Sequence, residues 1–487
     1  RKEIAMKIKK RFCPLPCILP FLTSLSLLLL NHSTTVSQTN YAFKQVMPPS
    51  QWIDYAPDRP ERAVIFDGEG GAIVVSQAFS SLITQKIDRH GNVLWAEPGQ
   101  ARSVVRNLPN RDAGYAPILL RDGDGGAYVA YAYSVWNEKG GNWWYNYDVY
   151  VQHIARDFER LWGDRGIAIA ANDSIISEYP YGLIHDGKGG LYILYSGYSE
   201  GQGPYGTKYV QHINESGELL WPDLGMVLTK NDTTGIQRIL ADDEGGAFLF
   251  GYVNYAQRIN HNREFLWSLP FVKTGLPKFS RLWLFRNIEE NSHYITIIGD
   301  FIGAQKISED DGSLFWSENG TLWKPANKPN DGVTIITKNG KGGAYIFSYH
   351  FLQELDKQGN FLYKVPKAVL DTTQFENNLY PVSGEYTEGF GTFILYSSSK
   401  SSNEGKLILQ RIDDDGNLPW GPGGITVCDT NIFQYQPHSL IRVDAQYKEA
   451  FVFVEFKQGI FVTKIDVTTG KDITLIDHSN NKNIPVD

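Results

Sequence analysis

The stretch from residue 67 to residue 95 decides the fold of this chain. It opens with DGEGGA (67–72) and closes with QKIDRHGNVLW (85–95). The first half recurs as DGDGGA (122–127), DGKGGL (186–191), DDEGGA (242–247) and NGKGGA (339–344). The second half recurs as VQHINESGELLW (210–221), AQKISEDDGSLFW (304–316) and LQRIDDDGNLPW (409–420). A repeat of about 45–65 residues made only of strands and tight turns is typical of a β-propeller.

Each repeat reads as four antiparallel strands. A short apolar strand precedes the glycine turn, an alternating strand follows it, and a Gln-x-Ile strand and a strand ending in Trp complete the unit. The Gln shares a face with the Ile two residues on, so we expect it to be buried and hydrogen-bonded between blades. We predict structural roles for the recurring residues, which are Gln85, Gln152, Gln211, Gln257, Gln305, Gln353, Gln410, Trp95, Trp162, Trp221, Trp267, Trp316 and Trp420.

The repeat count predicts one all-β domain, a single β-propeller of four-stranded antiparallel blades. Seven Gln-x-Ile/Leu strands and an eighth related strand, TKI at 463–465, favour eight blades. Seven blades remain the alternative, because units five and eight lack a clean glycine turn. The predicted boundaries are a signal peptide at 1–37, a lead-in segment at 38–60, the propeller at 61–476 and a tail at 477–487.

The first 37 residues have the pattern of an export signal. A basic segment, MKIKKRF (6–12), precedes an apolar run at 17–30 that is shorter than the ~20 residues of a membrane span. The prediction is a protein that is secreted, periplasmic or on the cell surface, with no stable membrane insertion after cleavage. An uncleaved N-terminal anchor is the alternative.

Charge and cysteine content narrow the classes of partner. The whole chain has a net charge of −8, and residues 1–37 carry six basic residues against one acidic residue. Removing them leaves a more acidic protein, which argues against nucleic acid and anionic membranes as partners. Of the three cysteines only Cys428 lies outside that segment. A disulfide framework is therefore excluded, and we predict a monomer.

The passage Ile-Asp-x-x-Gly-x-x-Leu-Trp resembles the tryptophan-docking repeat of the quinoprotein-like (PQQ-type) propellers. IDVTTG (465–470) matches the longer turn of that family, and ISEDDG (307–312) has its length. The resemblance covers residues 60–476 and implies an eight-bladed ring with Trp residues between blades. The catalytic members hold PQQ beside a disulfide between adjacent cysteines, which this chain lacks. The resemblance therefore implies a non-catalytic, secreted bacterial member without that cofactor.

Two other features are candidate sites of modest specificity. The acidic turns at Asp122, Asp124, Asp413 and Asp415 offer oxygens for Ca²⁺, but such Asp residues more commonly stabilise β-turns. We therefore predict no metal, with Ca²⁺ as the alternative. His153 and His212 follow the recurring Gln, where Lys or Arg stands in other units, and we expect them to be exposed.

The repeat is interrupted most strongly by SVWNEKGGNWWYNYDVY (134–150) in unit two. We predict a glycine-rich aromatic loop here, beside a second loop, SGYSEGQGPYGTKY (196–209), in unit three. Loops between second and third strands open on one face of a propeller, so the two should share a surface. Aromatic side chains on such loops suit sugar rings or protein contacts. The candidate ligand-binding residues are Trp136, Trp143, Trp144, Tyr145, Tyr147, Tyr198 and Tyr205.

The sequence favours a non-enzymatic binding or scaffold module for a glycan or an extracellular or envelope protein. No spacing of His, Cys or acidic residues marks a catalytic centre, so no catalytic residue is predicted. The alternative is a propeller glycoside hydrolase or polysaccharide lyase with carboxylates in the central channel.

Overall fold

Seven sequence repeats each form a four-stranded antiparallel blade, and the eighth forms three strands of a further blade, so the described residues contain eight blades. The computed structural model describes residues 44–48, 63–78, 81–106, 113–139, 142–170, 177–198, 206–230, 235–251, 255–267, 272–273, 281–287, 292–298, 302–323, 334–364, 366–371, 373, 379–401, 404–430, 439–456, 459–474, 476–477 and 482–483. No α-helix is found in these ranges. Within them, therefore, no helix is long and apolar enough to span a membrane.

The strands follow the chain from blade to blade. Strand β1 (Lys44–Met47) comes first. Blade one contains β2 (Val64–Phe66), β3 (Ala72–Ala78), β4 (Ser81–Ile87) and β5 (Arg102–Ser103), and blade two contains β6 (Ala113–Arg121), β7 (Ala127–Lys139), β8 (Asn142–Ile154) and β9 (Ile167–Ala170). Blade three contains β10 (Ser177–His185), β11 (Leu191–Tyr198), β12 (Thr207–Ile213) and β13 (Met226–Thr229). Blade four contains β14 (Ile236–Ala241), β15 (Ala247–Gly251), β16 (Tyr255–Ile259) and β17 (Val272–Lys273).

Blades five to eight repeat the order. Blade five contains β18 (Arg281–Asn287), β19 (Ser292–Ile298), β20 (Ile302–Ser308) and β21 (Thr321–Trp323), and blade six contains β22 (Thr334–Lys338), β23 (Ala344–Ser348), β24 (Phe351–Leu355) and β25 (Lys367–Ala368). Blade seven contains β26 (Leu379–Thr387), β27 (Gly391–Ser401), β28 (Glu404–Ile412) and β29 (Ile425–Thr430). Blade eight contains β30 (Ser439–Asp444), β31 (Glu449–Phe456) and β32 (Gly459–Asp466). A short pair, β33 (Ile476–Asp477) and β34 (Lys482–Asn483), follows.

Blade eight takes its fourth strand from the beginning of the chain. Strand β1, in the segment that the sequence analysis assigned to the lead-in, pairs antiparallel with β32, and Lys44 lies opposite Val462. The described residues after β32 add no further strand to this blade and contribute only a bridge between Ile465 and Asp472, like the bridge between Ile87 and Val93 in blade one. The N-terminal strand therefore completes the last blade.

Blades eight and one meet through apolar packing and hydrogen bonds. The rings of Phe66 and Phe451 lie 5.8 Å apart at their centroids, and Arg442 Nη2 donates to the carbonyl of Val64 at 3.4 Å. Elsewhere the first strands contact their neighbours, as β2 with β6, β6 with β10 and β26 with β30. These first strands are innermost and surround the centre of the ring.

The glycine turn is held by its own carboxylate. In blade one, Asp67 Oδ1 accepts the N–H groups of Glu69 and Gly71 at 2.8 and 2.9 Å. A Cβ on Gly71 would stand 2.2 Å from the carbonyl oxygen of Ile87 in the third strand, so only Gly fits there. The same contacts recur in blades two, three, four and six.

The second carboxylate oxygen of the turn meets the residue after the recurring Gln. Asp186 Oδ2 lies 2.8 Å from His212 Nε2, and Asp122 Oδ2 lies 3.1 Å from His153 Nε2. The expectation that His153 and His212 are exposed is therefore wrong. Burial alone would raise the pKa of Asp186, but hydrogen bonds from His212 and the turn N–H groups outweigh it and lower that pKa.

The two residues that meet here, one in the turn and one after the recurring Gln, differ in charge from blade to blade but keep the same positions. Lys86 pairs with Asp67 and Arg258 with Asp242, whereas in blade six Asn339 Nδ2 donates to Glu354 Oε1 at 3.2 Å. A carboxylate in the third strand thus accompanies an amide in the turn, which avoids two buried carboxylates in contact.

This pairing predicts a partial rescue in blade three. His212→Glu should lower the free energy of unfolding by more than about 1 kcal/mol, because two buried carboxylates then face each other. The double variant Asp186→Asn/His212→Glu should recover part of the loss by copying the Asn339–Glu354 pair. Urea denaturation of both, with Asp186→Asn to complete the cycle, measures the coupling. A double variant no more stable than His212→Glu would contradict the pairing.

The recurring Gln links the third strand to the fourth. Gln85 is fully buried; its Oε1 accepts the N–H of Trp95 at 2.9 Å, and its Nε2 donates to the carbonyls of Ala96 and Gln100. The other six recurring Gln residues are also buried, and the amide oxygens of Gln152, Gln257 and Gln353 accept from the aromatic residue ending their own unit. Each Gln thus fixes the backbone of the segment between the third strand and the fourth. The prediction that the fourth strand ends in Trp is wrong, because Trp95 stands before β5 and the other aromatic residues stand before the fourth strands of their blades in the same way.

The aromatic residue so fixed docks on the next blade. Trp95 Nε1 donates to the carbonyl of Arg156 at 2.8 Å, and Trp221 and Trp267 do the same to His261 and Glu309. The docking surface is the turn before the next fourth strand. There Gly359 lies against the ring of Trp316.

Two blades place a large residue at the glycine position of this turn. Phe158 and Arg263 adopt φ values of 75° and 66° there. Phe158 packs edge-on against Trp95 at 5.1 Å, and the guanidinium of Arg263 lies 6.0 Å from the ring centre of Trp221. Contact with the docked Trp compensates for the left-handed backbone in these two turns.

Two glycine-to-alanine variants distinguish the energetic cost of a steric clash from the cost of a left-handed backbone. Gly359 and Gly68 have φ values of 87° and 85°, but a Cβ on Gly359 would stand 2.7 Å from Trp316 Cδ2, whereas a Cβ on Gly68 meets nothing within 4 Å. Both Ala variants should lose about 1–2 kcal/mol to the left-handed backbone. Gly359→Ala should lose roughly 1–3 kcal/mol more from overpacking.

Chemical denaturation of Gly359→Ala and Gly68→Ala measures this difference directly. Equal losses in the two variants would show that Trp316 is not a tight docking contact.

Candidate functional site

The predicted aromatic loop of blade two is an extended β-hairpin. Strands β7 and β8 have 13 residues each and pair continuously from Ala127↔Ile154 to Lys139↔Asn142. The prediction of a loop at 134–150 is therefore wrong, except at residues 140–141, which lie outside the described ranges. Aromatic and β-branched residues favour extended backbone, and here they continue the blade pairing beyond its usual length.

The hairpin register places the candidate residues on its two faces. Trp136 pairs with Tyr145 and Glu138 with Trp143, whereas Trp144 pairs with Asn137. Because successive residues alternate between faces, the positions of Trp136, Trp143 and Tyr145 share a face with Tyr147. The position of Trp144 lies on the other face. Tyr205 of the second predicted loop lies outside the described residues.

Four partly exposed tyrosines join the hairpin face to blade three. The ring of Tyr147 lies 5.8 Å from Tyr115 and 5.0 Å from Tyr179, and Tyr179 lies 6.3 Å from Tyr198. Tyr147 and Tyr198 were sequence candidates, and the structure connects them through Tyr179. We call Tyr115, Tyr147, Tyr179 and Tyr198 the tyrosine groove.

Sequence reasoning missed Tyr115 and Tyr179. Both stand at the start of a first strand just before a proline, as GYAP (114–117) and EYP (178–180). A similar LYP (379–381) occurs in blade seven, where Tyr380 lies 5.4 Å from Tyr349 of blade six. An aromatic residue before Pro at this point of the repeat was the available signal.

Blades two and three are joined by backbone beneath the groove. Ser177 of β10 pairs in parallel with Tyr147 of β8, which merges the two blades into one eight-stranded sheet. The same register sets Glu178 beside Asp148. Hydrogen-bond pairing between blades fixes the relative position of the tyrosines on both sides.

Glu178 is a buried acid at this junction. Its side chain is 0% exposed, and neither carboxylate oxygen has a hydrogen-bond partner. Burial, and then the negative charge of Asp148, raise the pKa of Glu178 to about 9. The side chain is therefore a neutral carboxylic acid at pH 7.

The raised pKa predicts how stability changes with pH. A group whose folded pKa exceeds its unfolded value, about 4.3 for Glu, contributes fully below that value and loses its contribution as pH rises toward 9. Glu178→Gln should remove this loss because the amide stays neutral. Its advantage over the wild type should grow by more than about 1 kcal/mol between about pH 5 and pH 8.

Thermal and urea denaturation at several pH values measure that advantage. Glu218→Gln, on an exposed turn of blade three, controls for the loss of one negative charge. A constant difference between Glu178→Gln and the wild type across this range would contradict the assignment.

The centre of the ring contains a cavity of about 450 Å³. First strands of blades one, two, three, four and eight line it with Ile, Leu and Phe residues, with Tyr181 and Gly182, and with Arg121, Arg238 and Arg442. Among the described lining residues there is no Asp or Glu. The carboxylates required by the hydrolase alternative are thus not among those lining residues.

The acidic turns considered for Ca²⁺ use their oxygens internally. Asp122 Oδ1 accepts the N–H groups of Asp124 and Gly126, and Asp413 Oδ1 accepts that of Asp415. Burial would raise the pKa of Asp122, but His153 and the two N–H groups lower it. Within the described ranges, no group of three or more His, Cys, Asp or Glu residues is arranged to hold a metal ion.

The chain is an all-β propeller. No protein-family model matches it, and no curated protein sequence does so either. Solved propellers resemble it at the level of shape. Sqt1 from Saccharomyces cerevisiae aligns with a TM-score of 0.47 and 9% identity, over 86% of this chain and 98% of Sqt1.

Two further structures illustrate the range of proteins with similar shape. A quinoprotein alcohol dehydrogenase-like protein from Bacteroides thetaiotaomicron has a TM-score of 0.37 and 7% identity, over 72% of this chain and 81% of its own. A mutant of NanB sialidase from Streptococcus pneumoniae has a TM-score of 0.33 and 10% identity, over 86% and 71%. Likeness at this level carries no functional argument.

Proposed function

We propose that the protein is an exported, non-enzymatic binding module that holds a glycan in the tyrosine groove. The observation that carries the proposal is the chain of ring contacts from Tyr115 through Tyr147 and Tyr179 to Tyr198, which spans two blades. Membership in the quinoprotein-like group remains a prediction from the docking motif.

The chemistry of the groove suits a sugar chain. Tyrosine rings offer apolar faces to the C–H side of a sugar, and their hydroxyls offer hydrogen bonds to its hydroxyl groups. The strand pairing between Ser177 and Tyr147 preorganises both walls, which limits the entropy lost on binding. The positions of Trp136 and Trp143 would extend the same face along the hairpin.

Substitution of the groove tyrosines tests the proposal. Tyr147→Ala and Tyr179→Ala should each weaken glycan binding by about tenfold or more, because truncating a central aromatic contact costs about 1–3 kcal/mol. Glycan-array screening identifies the ligand, and calorimetry with the best-bound oligosaccharide measures the change. Trp143→Ala and Trp144→Ala extend the test to the hairpin.

Tyr380→Ala is the matched control, since Tyr380 has a similar place in blade seven and a similar ring contact. Its binding should equal that of the wild type. Binding unaffected by Tyr147→Ala and Tyr179→Ala would overturn the groove assignment. Binding to surface proteins but to no glycan would overturn the ligand class, and turnover of a polysaccharide would overturn the non-enzymatic role.

A further inference from the structure

The central cavity is a second place where a ligand fits. Its volume of about 450 Å³ lies within the roughly 300–1,000 Å³ range of small-molecule sites. Phe66, Leu120, Ile184 and Leu240, each only partly buried, belong to four different first strands of its wall. The wall and the tyrosine groove share no residue, but they adjoin, because Tyr181 of the wall hydrogen-bonds through its side chain to Tyr198 of the groove.

Positive charge converges on this apolar wall from three blades. Arg121 ends β6, Arg238 lies in β14 and Arg442 lies in β30, and all three line the cavity. The chain as a whole is acidic, with a net charge of −8, whereas the described lining residues include three arginines and no Asp or Glu. Guanidinium groups bind carboxylate, sulfonate and phosphate groups through paired N–H donors.

Arg442 keeps donor capacity toward a ligand. Its Nη1 lies 3.7 Å from Glu385 Oε2, and its Nη2 donates to the Val64 carbonyl. Its Nε is buried and has no hydrogen-bond partner. A buried donor without an acceptor costs about 1–3 kcal/mol, and an incoming oxyanion would satisfy it.

We propose that this cavity binds a small amphipathic anion. One oxyanion group would contact the arginines, and an apolar body would lie against the side chains of the first strands. This proposal does not depend on glycan binding in the tyrosine groove and goes beyond it.

Two fluorescent probes of the same shape test the proposal. 8-Anilinonaphthalene-1-sulfonate carries a sulfonate, and N-phenyl-1-naphthylamine has the same aromatic body without the charge. The folded full chain should bind the sulfonate probe at one saturable site, more weakly at high ionic strength. Arg238→Gln and Arg121→Gln should each weaken sulfonate binding about tenfold and leave the uncharged probe unchanged.

Three controls assign the outcome. Arg156→Gln, at an exposed outer turn, removes one positive charge elsewhere and should leave both probes unchanged. Leu240→Trp should block both probes by filling the cavity, and thermal melting confirms that each variant is folded. Tyr147→Ala should not alter sulfonate binding.

The proposal is overturned if Arg238→Gln and Arg121→Gln bind the sulfonate probe like the wild type. It is equally overturned if the Arg variants weaken both probes alike, if Arg156→Gln has the same effect, or if Leu240→Trp still binds the sulfonate probe.

Discussion

The buried glutamine of the third strand is the contact on which the rest of the ring depends. A primary amide has a carbonyl acceptor and an N–H₂ donor, and Gln85 uses both toward the backbone around Trp95. A residue that satisfied only one end would leave a buried polar group unpaired, at about 1–3 kcal/mol. By holding the backbone at Trp95, the amide also sets where the indole meets the next blade. One side chain therefore holds the backbone within its own blade and, through Trp95, also fixes the contact with the next blade.

The two candidate sites occur where this regular packing is altered. In blade two the second and third strands are longer than in the other blades, and the third strand also pairs through its backbone with the first strand of blade three. The tyrosine groove lies at this junction between the two blades. At the ring centre the first strands β6, β10 and β14 each contain a register shift, and Arg121, Arg238 and Arg442 stand among the apolar residues of the inner wall. Neither alteration involves the Gln, Gly or Trp of the repeat. The scaffold and the binding surfaces therefore use different residues.

The fold could be predicted from sequence because its determinants are local and repeated. Period-2 alternation, Asp-Gly turns and the Gln–Trp spacing each lie within about ten residues, and eight copies reinforce the same architecture. Strand β1 could not be found this way, since KQVM (44–47) carries no repeat signal and its partner β32 lies at the far end of the chain. The contacts of His153 and His212 with the turn carboxylates were missed because they join a turn to another strand. The groove was found only in part, since Tyr115 and Tyr179 come from first strands that no insertion marks.

The pairing of β1 with β32 has a consequence for how the protein reaches its final state. Strand β1, the first described strand, can pair only after β32 of the last blade has been synthesised, so the ring cannot close before nearly the whole described chain has left the ribosome. Until then β32 presents an open edge on which another extended chain could pair. Closure also carries the entropy cost of a loop nearly as long as the propeller itself, a cost that rises only slowly with length. Ring closure is thus a late, single step, and the time before it determines how long the open edge of β32 is exposed to aggregation.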